Sequence, residues 1–177
     1  MSHLTHREGL VQLNSISDRG HSAQTQNPPP LSLEDKFKAL PPQTKWAAQN
    51  IKFGEDEGLQ VGGNVAAAIF RGDAKAVSDG SYKEGHGTSS FTLQGDTFKK
   101  AINGQNTIPG SKEEQCAFRS ELGGVAGILT TLEILCEHHG IEQGKIEIGL
   151  DGESVIKKLE QPHLPSPKDP HCDLLLD

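Results

Sequence analysis

Residues 111–140, SKEEQCAFRSELGGVAGILTTLEILCEHHG, read as one long helix. Phe118, Leu122, Val125, Leu129 and Leu132 recur at helical intervals and form a single apolar stripe. Ser111 and Glu114 have the spacing of a capping box, and Gly140 suits a stop after His138 and His139. Strand patterns stand on both sides of it. Before the helix come KAVSDG, then GTSSFTLQG with Phe91 and Leu93 on one face, then AINGQNTIPG, with glycine-containing turns between them. After it, KIEIGLDGES alternates Ile146, Ile148 and Leu150, and ESVIKKLE is a short helix. The expected fold is therefore α/β: a three-strand antiparallel meander, a helix, then a strand that returns parallel to the first. The first strand is expected to stop at Asp79-Gly80.

The other parts of the chain are less regular. Residues 1–31 lack a sustained period of either kind and run into a triple proline, so they are expected to be a disordered tail, with His3 and His6 as solvated tail residues. Residues 32–73 form a helical preamble. Ser32 to Asp35 is its start signal, Pro41 and Pro42 interrupt it, and Trp46 and Ile51 anchor it. The glycine cluster in GLQVGGNVAAAIFRGD has neither G-x-G-x-x-G spacing nor a following Lys-Ser or Lys-Thr. It reads as a turn into a short helix ending near Gly72, not as a phosphate loop.

Composition excludes several classes. A chain of 177 residues holds one ordinary domain, and its formal net charge of −7 counts against a strong electrostatic grip on nucleic acid. Cys116, Cys136 and Cys172 form no Cys-x-x-Cys pair, which argues against a zinc ribbon or disulfide scaffold and fits a reducing compartment. With no apolar run of about 18 residues and no secretory signal at the start, no membrane association is expected. An intracellular place, cytoplasm or nucleus, follows.

Three acids carry the chemistry. Asp79 and Asp151 each precede a glycine where a strand is expected to end, and if those strands are neighbours the two lie about 4.8 Å apart. Glu121 falls between Phe118 and Val125, at the edge of the helix's packing face. Converging carboxylates repel one another, and a hard divalent cation with oxygen ligands relieves this. A pair of such ions suits phosphodiester hydrolysis. Each acid also has a plainer reading: Asp79-Gly80 as turn chemistry, Asp151-Gly152 as a turn or Asp151 as a helix cap, Glu121 as a partner of Arg119 or a lysine on a solvated flank. HCD at 171–173 lacks an evident base partner for a nucleophile, and Cys116 and Cys136 read as packing residues.

AVSDGSYKEGHGTSSFTLQG, FRSELGGVAGIL and IEIGLDGESV together resemble the first three acidic motifs of ribonuclease H-like domains, particularly those attached to retroelement reverse transcriptases. The resemblance covers residues 74–177. It implies that Asp79, Glu121 and Asp151 bind Mg2+, with Mn2+ as a substitute, and hydrolyse the RNA strand of an RNA/DNA hybrid. It makes Gly80 and Ser81 candidates for contacting substrate, and a reverse transcriptase polymerase domain a candidate partner. Family members carry a fourth carboxylate and a longer C-terminal part, and Asp173 and Asp177 come too early to supply it. The domain is expected to be truncated at its C-terminus, which leaves two readings open: an active nuclease, and an inactive remnant or interaction module. Oligomeric state is not legible.

Overall fold

The computed structural model describes residues 3–6, 10–14, 31–54, 58–95, 101–160 and 171–174. The sheet strands are β1 (His3–His6), β2 (Leu10–Asn14), β3 (Asn50–Phe53), β4 (Ala74–Lys83), β5 (His86–Gln94), β6 (Ala101–Thr107) and β7 (Lys145–Gly149). Their order is β1-β2-β7-β4-β5-β6-β3. Among the described residues only the β4–β7 pair is parallel. The helices are α1 (Leu33–Lys38), α2 (Pro42–Lys45), α3 (Gly58–Arg71), α4 (Ala117–His139) and α5 (Glu153–Leu159). The chain is thus α/β around a mixed sheet, with the meander β4–β5–β6 followed by α4 and then by a strand parallel to β4. No helix among the described residues is long and apolar enough to cross a membrane.

Strand alternation puts the core on one face of the sheet. Ala74, Ala76 and Ser78 of β4, Phe91 and Leu93 of β5, and Ile102 of β6 are buried beneath α3 and α4. Lys75, Asp79, Asn103 and Gln105 are exposed on the other face, as is Val77 at 56%. Burying side chains such as Leu93, Ile102, Leu132 and Leu135 contributes roughly 1.5–3 kcal/mol each. A second cluster joins Leu122 and Val125 of α4 to Ile108, Val155 and Leu174. Where α4 crosses the strands, its sheet side carries small residues. A Cβ on Gly124 would meet the Ser78 Cβ at 2.7 Å, so glycine lets the helix lie close to β4.

Several elements differ from the sequence expectation. β4 does not stop at Asp79-Gly80 but continues to Lys83, because the reversal occurs at Glu84 and Gly85, with φ of 53° and 83°. That two-residue turn suits the twist of a hairpin, and it outcompetes Asp-Gly as the reversal point. Helix α4 starts at Ala117, with Cys116 as its cap: the thiol sulfur accepts the Arg119 N–H at 3.4 Å. Ser111 and Glu114 close a separate turn, in which the Glu114 carboxylate accepts the Ser111 N–H at 2.6 Å. The preamble is not wholly helical, since β3 pairs with β6 as an edge of the sheet. Its glycine cluster lies inside the 14-residue helix α3. Within the segment expected to be a tail, β1 and β2 extend the sheet from β7; the rest of residues 1–30 lies outside the described residues. Three expected signals operate as read: Ser32 caps α1, Pro41 and Pro42 fall at the interruption between α1 and α2, and Gly140 ends α4 with φ 65°.

Candidate metal centre

The parallel ladder pairs Ala74 with Ile146 and ends with Val77 opposite Gly149. Two residues further along each chain stand Asp79 and Asp151. Asp79 remains within β4, opposite Ser90 of β5, while the chain of β7 has left the sheet at Leu150. The site therefore lies where one neighbour of β4 ends, which opens room for a side chain from α4.

Glu121 fills that room. Gly80 makes the approach possible: a Cβ there would lie 2.6 Å from the Ser120 carbonyl carbon and 2.8 Å from the Glu121 Cα. On the opposite side, a Cβ on Gly152 would lie 3.3 Å from the Glu121 Cγ. Two Asp-Gly pairs thus bracket the glutamate, each supplying an acid and a backbone without a side chain in the way. One carboxylate oxygen from each of Asp79, Glu121 and Asp151 lies within 4.8 Å of the other two.

The electrostatics of Glu121 follow from this placement. Burial pushes its carboxyl above the ordinary value, a hydrogen bond with the Gly80 backbone opposes the shift, and the charges of Asp151 and Asp79 add to it. Its Oε2 is buried without a hydrogen-bond partner. A buried carboxylate oxygen facing two further acids is costly unless a proton or a cation meets it. The donor set is all oxygen, which suits a hard divalent ion, and the three residues could hold one.

The plainer readings of these acids fail in turn. Asp79 sits in a strand, not a turn. Asp151 does not cap α5; the cap is Gly152, with no side-chain bond. Glu121 is not paired with Arg119. The Arg119 side chain, only 3% exposed, donates to the Pro109 carbonyl and to both oxygens of Asp173. Asp173 is thus engaged by Arg119 and is not among the acids that meet, and Asp177 lies outside the described residues. Of the other candidates, Gly80 serves the packing just described and Ser81 is exposed beside Asp79. Cys136 packs on the core, where burial pushes its thiol up. His139 at the end of α4 is pushed down by burial and then by His138. Cys116 lies 3.6 Å from His171 Nε2.

A shallow cavity of about 430 Å³ adjoins Asp79 on the open face of the sheet, and Asn50, Ser81, Thr88, Ser90 and Gln105 contribute to its lining. Of these, sequence reasoning singled out Ser81 and passed over the others. The alternation that puts Phe91 and Leu93 inward also puts Ser90 outward, but Asn50 had no strand to place it. No family model matches the chain, and no curated protein or solved structure matches it either.

Proposed function

We propose that this chain is a ribonuclease H-like domain and acts as a divalent-metal-dependent endonuclease on the RNA strand of RNA/DNA hybrids. The observation that carries the reading is the meeting of Asp79, Glu121 and Asp151, each with one oxygen within 4.8 Å of the others. Their chain order, with Asp79 in β4 just past its parallel pairing, Asp151 beyond the end of the neighbouring β7 and Glu121 on the intervening helix, supports it further. The buried, unpartnered Oε2 of Glu121 fits a bound cation.

The three carboxylates would hold Mg2+, with Mn2+ as a substitute. Bound there, the metal would supply the concentrated positive charge that phosphodiester hydrolysis requires. The protein's own part is placement: β4 fixes Asp79, the α4–Gly80 contact fixes Glu121, and the bend before α5 fixes Asp151. A retroelement reverse transcriptase remains the proposed context, with its polymerase domain as a partner.

A second reading, a catalytically inactive remnant or interaction module that keeps the cation site, is favoured by one observation. Among the described residues only three acids meet, and Asp173 is engaged by Arg119. Cleavage of a hybrid with a fluorescent RNA strand, in millimolar Mg2+, separates the two. The nuclease reading predicts cut RNA with intact DNA, lost in Asp151→Asn. Equal inertness of both proteins supports the second reading.

A further inference from the structure

The start of α4 carries a second cluster, built from side chains that the metal site does not use. Cys116 caps the helix and is half-buried, and its sulfur accepts the Arg119 backbone N–H at 3.4 Å. From 55 positions away in the sequence the His171 ring reaches the same sulfur, with Nε2 at 3.6 Å. Asp173 accepts from the Arg119 guanidinium with both oxygens, the His171 ring lies against Phe118 at 5.7 Å between centroids, and Leu174 is buried with Leu122 and Val125. Residues 171–174 thus form a strap across the first turns of α4. We propose that Cys116 is a reactive thiolate, that peroxide oxidises it, and that its oxidation releases the strap. The inference stands apart from the metal reading.

The directions of the hydrogen bonds carry the argument. Arg119 Nη1 lies 3.4 Å from His171 Nδ1. A guanidinium only donates, so Nδ1 must accept, and the ring proton of a neutral His171 then sits on Nε2, facing Cys116. The sulfur therefore receives two N–H groups, one from the backbone at the positive end of the 23-residue α4 and one from the imidazole. Such surroundings suit a sulfur anion, the nucleophilic form of cysteine. Backbone strain marks the same place: His171 holds a left-handed φ of 64°, which a residue with a side chain keeps only where its contacts impose it. In the reaction the thiolate attacks one peroxide oxygen, so that an S–O bond forms and the O–O bond breaks. The sulfur gives up two electrons and becomes a sulfenic acid, while the other oxygen leaves as hydroxide and takes a proton from solvent. The added oxygen fills the space between the sulfur and Nε2, which forces the His171 ring and its strap outward.

The test treats the full, reduced chain with hydrogen peroxide and reads the free thiol left at each cysteine by alkylation and mass spectrometry. Cys136, also half-buried and with a thiol that burial pushes up, is the internal reference. Cys116 should be lost about tenfold faster than Cys136. His171→Asn brings a residue that accepts a left-handed backbone but removes the Nε2 donor, and should slow the loss of Cys116 about fivefold, the worth of one hydrogen bond. The chain oxidised at Cys116 alone should melt about 3 °C below the reduced chain. Cys116→Ser keeps a helix cap and should melt alike before and after peroxide. Equal rates at Cys116 and Cys136 overturn the inference. So does an undiminished rate in His171→Asn, or a melting temperature that oxidation of Cys116 leaves unmoved.

Discussion

Gly80 of β4 and Glu121 of α4 are in backbone contact. Any side chain at position 80 would collide with Glu121 and Ser120, the nearest atoms including the Ser120 carbonyl carbon at 2.6 Å and the Glu121 Cα at 2.8 Å. This contact brings a helix acid to a strand acid, and the metal centre depends on it.

Gly80→Ala should therefore damage fold and site together. The methyl group meets main-chain atoms that cannot rotate away, so a loss of about 2–3 kcal/mol in unfolding free energy is expected. The Mg2+-induced rise in melting temperature should vanish as Glu121 is displaced. Ser81→Ala, one position on at an exposed site, should melt as wild type does. Wild-type stability and an intact Mg2+ response in Gly80→Ala would contradict the contact.

Glu121→Gln should stabilise the metal-free protein while abolishing its response to the ion. Burial and the neighbouring Asp151 and Asp79 raise the Glu121 carboxyl, so the folded chain holds that proton more tightly than the unfolded chain does. Stability from this group is full on the acid side and is lost as pH rises through the raised value. Above it, removing the charge should add roughly 1 kcal/mol, or about 2–4 °C. Mg2+ affinity should increase over the same pH window, since the ion displaces the proton. Melting curves across pH, with and without Mg2+, check both; a lower metal-free melting temperature in Glu121→Gln would count against the strain.

The Arg119–Asp173 pair should titrate in the opposite sense. Arg119 holds the Asp173 carboxyl below the ordinary carboxylate range, chiefly by hydrogen bonding. Stability from this pair is present above the ordinary value and is lost as pH falls through the lowered one. Asp173 is 58% exposed, so solvent screening limits its worth to about 1 kcal/mol. Asp173→Asn should flatten the acid limb of the stability curve and leave the Mg2+ response in place. Loss of that response would mean that Asp173 belongs to the metal site after all.

Much of this architecture was legible because burial writes itself into alternation. Phe91 and Leu93, then Ile146 and Ile148, marked strands, and the stripe from Phe118 to Leu132 marked α4. Boundaries were harder to read. Asp79-Gly80 carries a strong turn signal, yet pairing with β5 carries the strand through it to a better reversal at Glu84-Gly85. The four-residue NIKF of β3 alternates polar and apolar residues but is too short to stand out, and it owes its strand to β6, a partner distant in the sequence. Glu121 was placed correctly at the edge of the packing face, but the function of Gly80 was not readable. A glycine required for close approach looks the same in sequence as one required for a turn.

The central claim is that three carboxylates, one within β4, one just past the end of β7 and one on α4, hold one divalent site. Crystals soaked in Mn2+ and measured at its absorption edge test it directly. The account predicts an anomalous peak between Asp79, Glu121 and Asp151, within about 2.0–2.4 Å of an oxygen from each. Mn2+ bound elsewhere, or no peak at saturating metal with the three side chains pointing apart, would contradict it.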